Sequence, residues 1–342
     1  MKQLIPLLLS SILLFSCAPR NPHSPEAQRL LALLDSLNGH KTLSATMSNV
    51  SWNIAEAQLV HDTTGKWPAI IGLDFIDIYT DLNPDSSAPH PYDNFDLPLQ
   101  WHRDGGLITI CWHWFVPVAP DSARLTFRPD TRFQVANMLT PGTWEHSIMS
   151  RDLQLIAHRL SQFRDAHIPI LWRPLHEAAG NTIIGGDPWF WWGNGGPDNY
   201  VALWRHMHDY FDSLHLDNLI YLWTTETGIH ADSLAFDTPW YPGDDYVDII
   251  CRDSYHKNAS QCLAEYNAIR QTYPQKPLTL SECGQVAPIS QQWQQGAHWA
   301  WFMPWYTYNA SSLRSHDWAD ASWWLDAANN PNVLWRHDLP KH

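Results

Sequence analysis

Two segments of this chain carry a glutamate in matching frames. Leu171-Trp172-Arg173-Pro174-Leu175-His176-Glu177 and Leu278-Thr279-Leu280-Ser281-Glu282-Cys283-Gly284 each read as a short buried strand running into a carboxylate. Two carboxylates brought together at strand ends can cleave a glycosidic bond. One protonates the leaving oxygen, and the other attacks or stabilises the developing oxocarbenium carbon. The competing reading, two structural carboxylates salt-bridged to neighbours such as Arg173, does not account for the matched frames.

The elements that must position these residues follow from hydrophobic periodicity. Eight strand-like runs emerge: Thr42–Ala45, Ala69–Asp74, Leu107–His113, Ile168–Arg173, Leu219–Thr224, Tyr246–Asp253, Pro277–Glu282 and Ala300–Trp305. Helical patterns lie between several of them, at Ser150–Ala166, Asn199–Leu214 and Cys262–Tyr273. Eight strands alternating with helices predict a single α/β domain of the (β/α)8 TIM-barrel class, with a doubly wound open sheet as the alternative. Polar and aromatic residues gather just past the strand ends (Asp74, His113, Arg173, His176, Glu177, Glu226, Asp253, Tyr255, Glu282 and Trp305), and barrel enzymes build their sites on that face. Long Pro-, Asn-, Asp- and Gly-rich connections follow the second, third and fourth strands, and are expected to wall the cleft. Their shapes decide between internal cleavage of a polymer and release of disaccharides from chain ends.

Composition points the same way. Of 342 residues 44% are hydrophobic, enough for a large core, while only 16% are charged and 21 are tryptophan. Indole faces stack on the C–H faces of sugars, although any one tryptophan can equally be core. The net charge of −14 argues against nucleic acid and anionic membrane surfaces as partners.

The amino terminus reads as an export signal. Lys2 precedes the apolar run Leu4–Phe15, too short to span a membrane comfortably. Leu13-Leu14-Phe15-Ser16-Cys17-Ala18 resembles a bacterial lipobox, which implies cleavage before Cys17, lipidation of Cys17 and attachment to a bacterial membrane on its periplasmic or outer face. Residues 18–25, with three prolines, read as a tether, which leaves residues 26–342 for the catalytic domain. Cys111, Cys251, Cys262 and Cys283 are expected to be mostly free, buried thiols. No metal-binding spacing stands out, His206 and His208 do not share a helix face, and Glu226, Asp244 and Asp245 read as loop charges.

Trp172-Arg173-Pro174-Leu175-His176-Glu177, followed by Pro188-Trp189-Phe190-Trp191-Trp192-Gly193, resembles the signature of glycoside hydrolase family 26. Asn218-Leu219-Ile220-Tyr221, Tyr246–Tyr255 and Ser281-Glu282-Cys283-Gly284 extend the likeness over most of the chain. The resemblance implies a (β/α)8 barrel and a retaining β-1,4-mannanase that needs no cofactor and acts on mannan, galactomannan or glucomannan; a monomer is expected. Glu177 would be the acid/base and Glu282 the nucleophile. His176 would hold the nucleophile or the sugar, Tyr255 would hydrogen-bond the nucleophile, and Arg173 would fix a carboxylate. His113 and Trp305 would form the subsite of cleavage, and Trp189 would help bury Glu177. Asp253 completes the expected substrate-binding set. Two features depart from the family pattern: the longer Ala178–Asp187 connection, on the leaving-group side, and Cys251-Arg252 ahead of Asp253. Relatives cleaving β-1,3-xylan or mixed-linkage β-glucan give a second reading. A surface glycan-binding lipoprotein without activity gives a third.

Overall fold

A computed structural model describes residues 22–50, 52–76, 95–230, 233–307 and 317–340, the side chains of 228–235 excepted. The expected signal segment, Cys17 and most of the connection after the second strand therefore lie outside the described residues.

Eight parallel strands form the barrel: β1 (Thr42–Met47), β2 (Ile70–Asp74), β3 (Leu107–Trp112), β4 (Ile170–Pro174), β5 (Leu219–Thr225), β6 (Ile249–Tyr255), β7 (Leu278–Gly284) and β8 (Trp301–Pro304), and a two-residue strand, Val333–Leu334, also pairs with β1. Each pairs with its sequence neighbour, and β8 pairs back onto β1 through Leu43–Trp301 and Ser44–Phe302. That last pairing closes the barrel and excludes the open sheet. The described strands are buried on both faces, which is why they read as nearly continuous apolar runs.

Eight helices accompany them among the described residues: α1 (Pro25–Leu37), α2 (Ala55–Thr64), α3 (Asp96–Arg103), α4 (Trp144–Asp165), α5 (Gly196–Ser213), α6 (Ala259–Thr272), α7 (Ile289–Gln295) and α8 (Ala321–Asn329). Their ends follow capping chemistry more than periodicity. Thr143 accepts from the His146 amide and starts α4 six residues ahead of the expected point. Asn258 and Gln261 form a reciprocal capping box that starts α6 early.

The expected tether shortens at its far end. Ser24 caps α1 through the Ala27 amide with Pro25 as first helical residue, its own amide donates to the Asp217 carbonyl, and His23 meets Asp248 at 3.2 Å. Ala27, Leu30 and Leu34 of α1 share a buried cluster with the barrel residues Leu43, Leu171, Ile220 and Cys251. Ser-Pro-Glu is a helix start, and the proline count hid it. Most indoles are core: Trp112, Trp114, Trp172, Trp191, Trp192, Trp223 and Trp301 are fully buried. The four described cysteines are free and buried, as expected.

Candidate active site

The carboxyl ends of the strands open into a cleft of about 520 Å³. Of the residues expected in the site, His113, His176, Glu177, Trp189, Tyr255, Glu282 and Trp305 line it. Arg173 and Asp253 do not. Both are buried one layer down, beneath the glutamates.

The two glutamates arrive by different backbone routes. β4 ends at Pro174, and Glu177 lies three residues further on, in a turn where Leu175 and Glu177 have φ of 46° and 52°. Non-glycine residues rarely hold such angles, and strain of this kind persists where surrounding structure enforces it. Here Trp189 donates its indole N–H to Glu177 Oε2 at 2.7 Å, and Trp192 donates to the His176 carbonyl at 2.8 Å. Gly180 lets the chain fold back. A β-carbon there would stand 2.9 Å from the Pro188 Cα and 3.0 Å from the Trp189 nitrogen.

Glu282, by contrast, sits within β7. The β6–β7 register runs Arg252–Leu280 and then Asp253–Glu282, so Ser281 is an extra residue, a β-bulge. The bulge breaks strict alternation and lets two consecutive side chains serve one network. Ser281 Oγ donates to Asp253 Oδ1 at 2.6 Å, and Glu282 meets Arg173 and Tyr255. Arg173, on β4, spreads its fork between Asp253 Oδ2 at 2.9 Å and Glu282 Oε1. The Tyr255 hydroxyl donates to Glu282 Oε2 at 2.9 Å. Burial, with Glu282, Asp253 and Glu177 close by, pushes the Tyr255 phenol well above its ordinary range, so it keeps the proton it donates.

An oxygen from each of Glu177, Asp253 and Glu282 lies within 4.8 Å of the other two. Removal from water pushes Glu177 well above the carboxylate range, and Asp253, Glu226 and Glu282 raise it further. Burial and Asp253 also raise Glu282, but Arg173, His113 and the Tyr255 hydrogen bond oppose them and hold it at about 7. The environments thus separate a carboxyl that keeps its proton from one that gives it up first, which is the division an acid and a nucleophile require.

His176 makes no hydrogen bond to Glu282. Its Nε2 faces His113 Nε2 at 3.2 Å, and burial together with Arg173 and His113 holds its pKa well below the usual imidazole value, so the ring is neutral. Trp305 lies behind His113 with ring centroids 6.1 Å apart. The connections after β3 and β4 supply Phe127, Arg128 and Phe190 to the lining, and both phenyl rings pack against His113 at 5.3 and 5.7 Å.

Some residues in the site carried no sequence signal of their role. Asp74, which ends β2, receives both the backbone N–H and the Nδ1 of His113, at 3.1 and 2.6 Å. Only its place at a strand end marked it. Glu226 is no surface loop charge: it is buried, bonded to Arg252 at 2.9 Å, and raised by burial to about 8. Asp244 and Asp245 are exposed, as loop charges should be. Two groups, Asp74–Cys111–His113 and Glu177–Asp253–Glu282, have potential metal-ligating atoms within 4.8 Å of one another. In the first, Asp74 and His113 already bond each other; in the second, the Arg173 guanidinium supplies the positive charge.

A barrel with carboxylates past its fourth strand and within its seventh defines a class of glycoside hydrolases, and comparison with known proteins narrows the class. The chain belongs to glycosyl hydrolase family 26, whose family model matches residues 20–322. A mannan endo-1,4-β-mannosidase of Thermothelomyces thermophilus is 31% identical over 318 residues, covering 87% of this chain and 61% of that protein. A second, from Bacillus subtilis strain 168, is 28% identical over 78% of this chain and 73% of its own length. Among solved structures, the family 26 domain of an endo-β-mannanase/endo-β-glucanase from Prevotella bryantii is 35% identical with a TM-score of 0.85, covering 92% of this chain and 97% of that domain.

Proposed function

We propose that this chain is a retaining β-1,4-mannanase acting by double displacement, with Glu177 as acid/base and Glu282 as nucleophile. The observation that carries the reading is the approach of the two carboxyl groups to within 4.8 Å. Inverting enzymes hold their carboxyls about 6.5–9.5 Å apart to admit a water, whereas retaining enzymes need about 5 Å. In the first step Glu282 attacks the anomeric carbon while Glu177 gives its proton to the departing glycosidic oxygen. Tyr255 and Arg173 hold the attacking carboxylate in line. Once Glu282 is esterified its charge is gone, the proton affinity of Glu177 falls, and Glu177 takes a proton from the incoming water. The mannosidase activity of the relatives supports mannan as substrate.

The test is proton NMR of the first products from purified mannan. A β-configured reducing end that later mutarotates supports the reading, and an initial α-anomer refutes it. Mixed-linkage β-glucan and β-1,3-xylan assayed in parallel separate the same-fold alternatives, and binding without product would identify a glycan-binding protein.

Export and lipidation at Cys17 complete the proposal, supported by the Leu4–Phe15 run and the cysteine that follows it. Metabolic labelling with a palmitate analogue, lost in Cys17→Ser, tests it.

A further inference from the structure

The cleft opens at the carboxyl ends of the strands, and the chain enters the barrel at the opposite face, beneath their amino ends. The Ser24 N–H donates to the Asp217 carbonyl at 2.8 Å, and His23 meets Asp248 at 3.2 Å. Asp217 lies just ahead of β5, and Asp248 immediately ahead of β6. At the other end of β6, Tyr255 lines the cleft. Strands rise about 3.3 Å per residue, so the entry point and the cleft stand roughly 23 Å apart along that one strand. The entry is firmly held. Ala27, Leu30 and Leu34 share a buried cluster with barrel residues, and α1 runs on beneath the barrel, where Leu30 and Leu33 border Leu107 and Pro169 at the amino ends of β3 and β4.

We infer that the anchored enzyme stands with its amino-end face toward a lipid surface and its cleft opening away from that surface. This orientation rests on the lipidation of Cys17 proposed above. Cys17 and His23 are six residue steps apart. A chain spans at most about 3.6 Å per residue, so His23 stays within about 22 Å of the lipid-bearing residue whatever path the segment takes. A domain of this length has a radius of gyration of about 20 Å, hence a diameter of about 50 Å. Turning the cleft to the lipid would carry His23 to the far side of the domain, more than twice as far away as the tether reaches. A barrel lying on its side already holds His23 at the limit of that reach. The net charge of −14 supplies no attraction to anionic lipid that would draw another face down, so the tether sets the pose. A polysaccharide of any length can then lie across the cleft while the enzyme stays anchored.

The test uses the lipidated chain, purified from bacterial membranes and reconstituted into phosphatidylcholine vesicles that carry an acceptor dye on their headgroups. A donor dye goes on Ser213→Cys, exposed at the end of α5 on the amino-end face, or on Ile184→Cys, exposed between Glu177 and Trp189 on the cleft side. The four described cysteines are buried and lipid occupies the sulfur of Cys17, so each dye reports one position. Energy transfer from position 213 should exceed that from position 184 at least threefold. Equal transfer, or the reverse order, overturns the orientation and leaves lipidation standing. Hydrolysis gives a second readout. On long soluble galactomannan the vesicle-bound enzyme should keep kcat/KM within about twofold of Cys17→Ser enzyme in solution. A loss of tenfold or more on the polymer, with mannohexaose unaffected, would set the cleft against the bilayer and overturn the orientation. If Cys17 takes no palmitate label, the anchor fails and the orientation with it, while the anomer of the first product still judges double displacement separately.

Discussion

The Trp189 indole N–H donates to Glu177 Oε2 at 2.7 Å, so the residue expected to help bury Glu177 also orients its carboxyl. A hydrogen bond to a charged group is worth about 1.5–3 kcal/mol, and this one has most to give once Glu177 is ionised in the second step. Trp189→Phe keeps a ring and removes the donor. Its kcat should fall roughly 10- to 100-fold while KM for mannan moves little, as steady-state kinetics will show.

Chemical rescue separates the two glutamates. General acid catalysis contributes about 10²- to 10⁴-fold, and a good leaving group dispenses with it. Glu177→Ala should therefore lose that factor on mannan, retain the first step on an aryl β-mannoside, and with azide yield the β-mannosyl azide. Glu282→Ala should be inactive on both substrates and with azide yield the α-product. The same azide anomer from both variants would refute the roles.

Activity against pH should be a bell displaced upward from that of two free carboxyls. Glu282 must be ionised, and it is raised to about 7 by burial and Asp253 against the pull of Arg173. Glu177 must be protonated, and it lies well above the carboxylate range. The acid limb of kcat/KM therefore follows Glu282 and the basic limb Glu177. A profile already flat from pH 4.5 would show that Glu282 is not raised.

Stability should fall as pH rises. Glu177 is raised well above its ordinary value, Glu226 to about 8 and Asp237 to about 7, all chiefly by burial. The folded chain then holds protons that the unfolded chain releases above about pH 4.5, so their contribution is present below that value and is lost as pH climbs towards 8. Glu177→Gln removes one such group. Urea unfolding should find it more stable than wild type at pH 8 and no more stable at pH 4.5.

Gly193 is where backbone space is tightest around Glu177. A β-carbon there would sit 2.2 Å from the Ala178 carbonyl oxygen and 2.6 Å from the Pro188 Cβ. Gly193→Ala must push apart the segments of the β4–α5 connection that meet at Ala178 and Pro188, at a cost of about 1–3 kcal/mol or more, and Trp189 moves with them. Thermal unfolding should drop and kcat should fall together. The exposed Gly185→Ala should leave kcat unchanged.

The sequence by itself determined the barrel strands, because parallel strands covered on both faces must be short and continuously apolar, and Leu107–Trp112 or Leu219–Thr225 obey that locally. It also determined the two catalytic candidates, since Glu177 and Glu282 are marked by their own neighbours. The caps Ser24, Thr143 and Asn258 are local chemistry as well, but hydrophobic periodicity does not carry them, because a cap lies ahead of the first buried helical position. Only the tertiary structure decided what each carboxylate feels. Arg173 reaches Asp253 and Glu282 from 80 and 109 positions away, and His113 reaches Asp74 from 39. Those meetings depend on barrel closure and on a one-residue bulge at Ser281, and a single step of register would turn a side chain to the other face of the sheet. Burial and neighbouring charge set proton affinity, and both are properties of the closed barrel.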